Sequence, residues 1–132
     1  HMILPCGYLL SKWNRNIDII CNLCPDSRHT VEHMLWLCQP VSKLWKVVGI
    51  ATKIDIKWDM LVIRSMGRNI DFLFSLINYS VFKSWTRNNV MLNFENLAKF
   101  IKQELLFYKE CQSYMKKNLI SNNLLINIIN IL

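Results

Sequence analysis

Glycines, long apolar runs and paired carboxylates are scarce in this 132-residue chain, and each scarcity excludes a class of protein. Three glycines are too few for a glycine-rich phosphate-binding loop. No run of about 18 uninterrupted apolar residues occurs, so neither a transmembrane helix nor a membrane partner is expected. Pro5, Gly7 and Lys12 interrupt the first apolar residues, which does not fit a signal peptide. We therefore expect an intracellular, soluble domain.

Catalytic constellations are missing as well. Polymerase chemistry needs paired carboxylates that hold two metal ions. Asp55 and Asp59, on either side of Trp58, fit a solvated helix face or a turn instead. No Ser/His/Asp set can be assembled for nucleophilic catalysis, because His29 is isolated and His33 belongs to a cysteine cluster. We expect a non-catalytic fragment, not an enzyme.

The charge balance is strongly basic. Sixteen lysines and arginines face nine acidic residues, which gives a net charge of +7 and a pI near 9.3. Such a balance favours a polyanionic partner, although it equally fits a solvated basic face. The 11 lysines are spread along the chain, and Lys116 and Lys117 form its one adjacent basic pair. The basic field is therefore diffuse, without an arginine-rich arm.

The length and the apolar content of 52% predict one folded domain that buries a core. The leading residues 1–2 are typical of a cloning remnant. The domain is expected over residues 3–118, with a cysteine-rich region at 3–48 and a helical region at 68–118. The uncharged, Ile/Asn-rich tail at 119–132 has two interpretations: a packed or frayed chain end, or a segment that pairs with a partner or another copy.

Three of the five cysteines and two of the three histidines fall within "CNLCPDSRHTVEHMLWLC", residues 21–38. A Cys-x2-Cys turn presents two thiolates from one tight bend, and zinc takes four such soft or borderline ligands in a tetrahedron. The spacing Cys21-x2-Cys24-x8-His33-x4-Cys38 therefore predicts a zinc site with these four ligands. Four protein ligands leave no position for water, so the zinc is expected to be structural.

The second ligand pair poses a geometric problem. His33 and Cys38 are five residues apart, which separates them by about 140° around an ideal α-helix. They converge only if the helix, with Thr30 as its expected N-cap, starts near His33 or is distorted near Cys38. The following Pro40 makes such a distortion possible.

Alternatives to this ligand set remain open. A Cys-x2-Cys pair also serves redox chemistry, but no βαβ pattern surrounds it here. The cysteines would alternatively be buried and unliganded, or His29 would replace His33. Cys6 and Cys111 lie outside the spacing and are interpreted as core thiols.

The period of apolar residues predicts a mainly α-helical fold. The expected helices span residues 5–14, 41–48, 69–88 and 93–117. Leu44, Trp45 and Val48 should face inward, and Asn93 should cap the last helix.

Ile54, Ile56 and Trp58 alternate with charged residues, which favours a short strand, although the letters MLVIR that follow fit a helix. The predicted fold is thus a small helical domain with an N-terminal Cys3His zinc knuckle and room for one short hairpin.

The stretch "CNLC…HTVEHMLWLCQPVSKLW" resembles the zinc-binding domain at the C-terminus of reverse-transcriptase polyproteins from non-LTR (LINE-type) retrotransposons. The four expected ligands match that family's pattern, as do Glu32 before His33 and the trailing pair Leu44 and Trp45. The upstream "LPCGYLLSKWN" is similar to the family's lead-in, except that Cys6 replaces a small polar residue. The sharp resemblance covers residues 4–46, and a looser one continues through "LINYSVFKSWTRN" and "FENLAKFIKQELLFYKE".

The resemblance implies a nucleic-acid-binding role. Such a domain would hold template RNA or target DNA during reverse transcription and integration, within a ribonucleoprotein in the nucleus and cytoplasm. Its partners would be RNA or DNA and the other domains of the parent polyprotein. The alternatives are a scaffold that contacts those domains or a host protein, and a host-adopted fragment that has lost its original role.

Two groups of cations are candidates for contact with nucleic acid. The knuckle surface surrounds the zinc ligands and comprises Lys12, Arg15, Arg28, Lys43 and Lys46. The helix stripe comprises Lys83 and Arg87, in line with Tyr79 at helical spacing. Cations beside aromatic rings suit single strands, because bases stack and phosphates pair. Alternatively, the knuckle surface is a solvated face, and Tyr79 and Trp85 are core residues with the cations of the stripe extending from the edge of the core.

Overall fold

The structure is mainly helical, as the period of the apolar residues predicts. The computed structural model describes residues 24, 30–63, 66–86, 93–114 and 120–132; 82% of these residues are helical, and they include no strand. The helices are α1 (His33–Leu37), wound as a π-helix, α2 (Gln39–Thr52), α3 (Trp58–Val62), α4 (Arg68–Thr86), α5 (Phe94–Ser113) and α6 (Asn122–Ile131). The mainly α fold class is confirmed. The helix expected at 5–14 lies outside the described residues.

The core forms where these helices meet. Helix α2 packs against α1, α5 and α6, and α4 packs against α1, α3 and α5. Leu44, Trp45 and Val48 of α2 are buried, as their spacing predicts. The rings of Trp45 and Phe74, which lies in α4, form a T-shaped pair with 5.7 Å between their centroids. None of the described helices is both long and apolar enough to cross a bilayer.

Helix α5 begins where its capping residue predicts. The Asn93 side chain accepts a hydrogen bond from the backbone N–H of Asn96 at 2.8 Å, which satisfies one free donor at the helix N-terminus. The helix ends at Ser113, with Tyr114 as its C-cap, earlier than the predicted boundary near residue 117. Residues 115–119 lie outside the described part of the chain.

The predicted strand at residues 54–58 is wrong. Residues 54–57 have no regular secondary structure, and Trp58 already begins α3. The alternation of the side chains is nevertheless real: Ile54 and Ile56 are half-buried, whereas Asp55 and Lys57 are exposed. An extended segment that lies along a helix buries every second side chain just as a strand does, without a partner strand.

The turn before this segment depends on Gly49. The backbone N–H groups of Lys53 and Ile54 both donate to the Gly49 carbonyl, and Lys53 adopts a left-handed φ of 59°. A Cβ on Gly49 would lie 2.9 Å from the Ile54 carbonyl oxygen, closer than real Cβ atoms approach backbone. Glycine therefore lets the chain fold back tightly onto α2.

The apolar segment near the chain end contributes to the same core. Ile120 and, in α6, Leu125, Ile128 and Ile129 are buried. Helix α6 packs against α2 and α5. Residues 120–132 are therefore packed and helical, which is the first of the two interpretations of this segment.

Candidate metal centre

The fold brings three of the four predicted ligands together. The ligand atoms of Cys24, His33 and Cys38 all lie within 4.8 Å of one another. His33 and Cys38 are buried, and Cys24 is half-buried. Cys21 and the alternative ligand His29 lie outside the described residues. The three described side chains form a group that can hold a metal ion.

A π-helical turn solves the angular problem between His33 and Cys38. The Cys38 N–H donates to the His33 carbonyl oxygen at 2.8 Å, an i→i+5 hydrogen bond. This wider turn brings residues five apart above one another, whereas an α-helix would leave them about 140° apart. Cys38 then leaves the helical region with ψ 137°. The distortion expected at this position is therefore present, and α2 begins anew with Pro40 in its first turn.

Thr30 fixes the start of the ligand-bearing turn. Its hydroxyl oxygen accepts a hydrogen bond from the His33 backbone N–H at 3.1 Å. Its carbonyl oxygen accepts another from the Met34 N–H at 2.9 Å. Thr30 therefore caps this turn as predicted, and it holds the backbone of a ligand residue directly.

Two tryptophans fix the end of the same turn. In a π-helical pattern the Leu35 carbonyl would accept from residue 40, but Pro40 has no N–H. The Trp45 indole donates to the Leu35 oxygen instead, at 2.8 Å, and the Trp85 indole donates to the Met34 oxygen at 3.0 Å. The turn is thus attached to both α2 and α4. Sequence spacing alone did not predict these two positioning roles.

We expect Trp45→Phe to destabilise the domain by about 2 kcal/mol. The phenyl ring keeps most of the packing, but the buried Leu35 carbonyl loses its donor. Urea unfolding measures the loss. Trp58→Phe is the matched control, because it removes an indole N–H for which the described part of the chain gives no acceptor. Equal losses in both variants would show that the Trp45 hydrogen bond contributes nothing.

His33 has the properties of a metal ligand. Its Nε2 atom is buried and has no hydrogen-bond partner among the described residues. Burial lowers the pKa of His33 from its ordinary value, because the charged imidazolium loses solvation. The neutral imidazole is the form that binds metals. A buried, unpaired nitrogen is costly unless something occupies it, and a metal ion held with Cys24 and Cys38 would do so.

The spacing of the three ligand atoms also fits a metal ion. On a tetrahedral zinc, with bonds of about 2.0–2.3 Å, neighbouring ligand atoms lie roughly 3.5–3.8 Å apart. The spacing of up to 4.8 Å needs a contraction of at most about 1.3 Å. Small side-chain rotations of the two cysteines would supply it. In addition, Cys38 lies at the N-terminus of α2, where the helix dipole favours the negative charge of a thiolate.

The structure describes two of the five cations predicted to form the knuckle surface. Lys43 and Lys46 of the knuckle surface are exposed on α2, and the Lys43 ammonium lies 4.6 Å from the Phe94 ring centroid. Outside the described residues lie Lys12, Arg15, Arg28 and Arg87.

The helix stripe carries an ion pair. The Lys83 ammonium lies 3.2 Å from a Glu104 carboxylate oxygen and 5.2 Å from the Tyr79 ring centroid. Tyr79 is 47% exposed, so the interpretation of Tyr79 as a core residue is wrong. Because Glu104 offsets the charge of Lys83, the stripe is a weaker attractor for phosphate than the exposed lysines of α2.

No family model, curated protein or solved structure matches the chain. The retrotransposon resemblance therefore rests on the residues quoted above.

Proposed function

We propose that Cys24, His33 and Cys38 bind a structural zinc ion, with Cys21 as the fourth ligand. The unpaired, buried Nε2 of His33 beside two cysteines is the observation that carries this proposal. Thiolate and imidazole ligands without carboxylate suit zinc better than calcium or magnesium. The ion would join Cys24 to the start of α2, and so stabilise the fold instead of catalysing a reaction.

We propose further that the domain binds single-stranded RNA or DNA, as a domain of a retrotransposon reverse transcriptase would. The net charge of +7 and the exposed lysines that follow the ligand-bearing turn on α2 support this proposal. The resemblance supplies the biological role, which is to hold template RNA or target DNA during reverse transcription and integration. No catalytic step is assigned to these residues.

Binding should be modest in affinity and mainly electrostatic. If about four phosphates are neutralised on a single strand, the logarithm of the association constant should fall with that of the salt concentration at a slope near −3. Fluorescence anisotropy with single-stranded RNA, single-stranded DNA and duplex DNA, each over a salt series, measures both affinity and preference. No binding at low salt, or an affinity that salt does not change, would contradict this proposal.

A scaffold role is the second candidate, and one surface favours it. Leu106 and Phe107 of α5 are 43% and 65% exposed, and Tyr114 at the end of that helix is 90% exposed. Exposed apolar side chains of this size are common where another protein binds. A domain that folds with zinc but fails to bind nucleic acid would support this role or that of a host-adopted fragment.

A further inference from the structure

A groove of about 600 Å³ lies beside the ligand-bearing turn. Helix α2 forms one wall, and the extended segment at residues 54–56 forms the other. Trp36 contributes aromatic surface beside the buried Trp45, and Ile50, which is 68% exposed, contributes apolar surface at the edge. The groove is open to solvent and is larger than a single nucleobase requires.

The aromatic surface of the groove is held rigidly. Trp36 lies in α1 between His33 and Cys38, so the turn that carries the ligands also carries this ring. Its ring centroid lies 6.2 Å from that of Trp45 and 6.4 Å from that of Trp58. Trp36 remains half-buried, which leaves part of the indole accessible from the groove. A ring fixed in this way is suited to stack on a flat partner.

The groove is also positively charged. Lys46 and Lys53 line it, and both are exposed. Lys46 lies on α2 and Lys53 is the C-cap of that helix, seven residues further on, which is about 10 Å along the helix axis. Asp55 is the acidic residue among the lining side chains, so cations outnumber carboxylates there.

We infer that this groove is the nucleic-acid contact surface: a base stacks on Trp36, and the flanking phosphates pair with Lys46 and Lys53. The inference rests on the proposed nucleic-acid function and adds to it the residues Trp36 and Lys53, which lay outside both candidate surfaces. Fixed aromatic rings beside a row of cations bind single strands without sequence preference. An acidic peptide would use only the positive edge of the groove, and an apolar peptide only its isoleucines. Neither would use both the flat indole of Trp36 and the spaced lysines.

Lys53 permits a test that does not disturb the fold. Its left-handed φ of 59° is unfavourable for a residue with a Cβ, and glycine adopts it freely. Lys53→Gly should therefore remove one cation of the groove without lowering the thermal unfolding temperature. Combined with Lys46→Gln on the exposed side of α2, it removes two phosphate contacts. The salt slope for a single-stranded oligonucleotide of about 12 nucleotides should then become flatter by roughly 1.4, since each contact contributes about 0.7.

Lys99→Gln is the control for the loss of charge, because Lys99 is exposed on α5 and does not line the groove. The wild-type protein should bind oligo-uridine or oligo-thymidine, the Lys99 variant should bind nearly as tightly, and the double variant should bind clearly more weakly. Ultraviolet crosslinking followed by mass spectrometry should find the nucleotide attached to the peptide that contains Trp36.

The possible results separate two failures. A wild-type protein that binds neither oligonucleotide at low salt would overturn the proposed function. Normal binding by the double variant, or a crosslink only to peptides away from the groove, would overturn the groove as the contact surface while the function stands. A peptide-binding groove would give this second result, because oligonucleotide affinity would then not depend on Lys46 and Lys53.

Discussion

Cys24→Ser should remove the zinc and unfold most of the domain. Serine is close to cysteine in size but ligates zinc poorly, so the change removes a ligand with little effect on packing. Structural zinc contributes roughly 10–16 kcal/mol of apparent binding free energy in small peptides. The whole stability of a domain is about 5–15 kcal/mol. Because binding and folding are coupled, losing even part of this free energy should leave the domain largely unfolded.

Elemental analysis and thermal unfolding measure this outcome together. We expect about one zinc per wild-type chain, no zinc in the variant, and a fall of the unfolding temperature by at least about 15 °C, since each kcal/mol shifts it by a few degrees. Cys111→Ser is the matched control, because Cys111 is exposed on α5 away from the cluster; its interpretation as a core thiol is wrong. His29→Ala should be nearly silent as well, which distinguishes it from His33→Ala. Zinc-free wild-type protein would contradict the metal site.

Gln112→Leu should produce the second large loss of stability. Gln112 is fully buried, and its side-chain amide pairs with the backbone of Ile120 in both directions. The Nε2 group donates to the Ile120 carbonyl at 2.6 Å, and the Oε1 atom accepts from the Ile120 N–H at 3.0 Å. Nε2 also lies 3.3 Å from the side-chain oxygen of Asn122 in the first turn of α6. Leucine fills a similar volume but leaves two buried backbone groups unpaired, at about 1–3 kcal/mol for each group.

We therefore expect a total loss of roughly 2–6 kcal/mol and the release of α6 from α5. Urea unfolding gives the free energy, and amide hydrogen exchange over residues 120–132 shows whether α6 opens locally. Gln103→Leu on the exposed side of the same helix is the control, and it should change stability little. If the two variants were equally stable, the Gln112 network would not hold α6 in place.

The residues around Cys24, His33 and Cys38 show which features of the site can be predicted from local sequence. The spacing Cys24, His33, Cys38 identified three side chains that do converge, and Thr30 was recognised as their cap. The need for a distorted helix followed from the period of the α-helix alone. The bonds that complete the π-turn were not foreseeable, because the Trp45 and Trp85 indoles come from 10 and 51 residues away. No local period encodes such a contact.

Local chemistry specified those features whose causes lie within a few turns of the chain. The inward side of α2 and the Asn93 cap are of this kind, because helical period and capping depend on residues three or four positions apart. The conformation of residues 54–57, by contrast, depends on tertiary packing. Strands and extended segments on a helix both show this alternation of buried and exposed side chains, and only a partner strand distinguishes them. The described part of the chain contains no such strand.

The surface charge likewise has one property that the sequence determines and another that the tertiary structure decides. The net charge of +7 is a property of composition, but the strength of each cation depends on what the fold places beside it. Lys83 meets Glu104 from 21 residues further along, so its field is offset by a neighbouring helix. Lys46 and Lys53 remain exposed beside Trp36, because the tight turn at Gly49 folds the chain back along α2 and forms a groove there. Packing between distant segments thus selects which of the many lysines can act together.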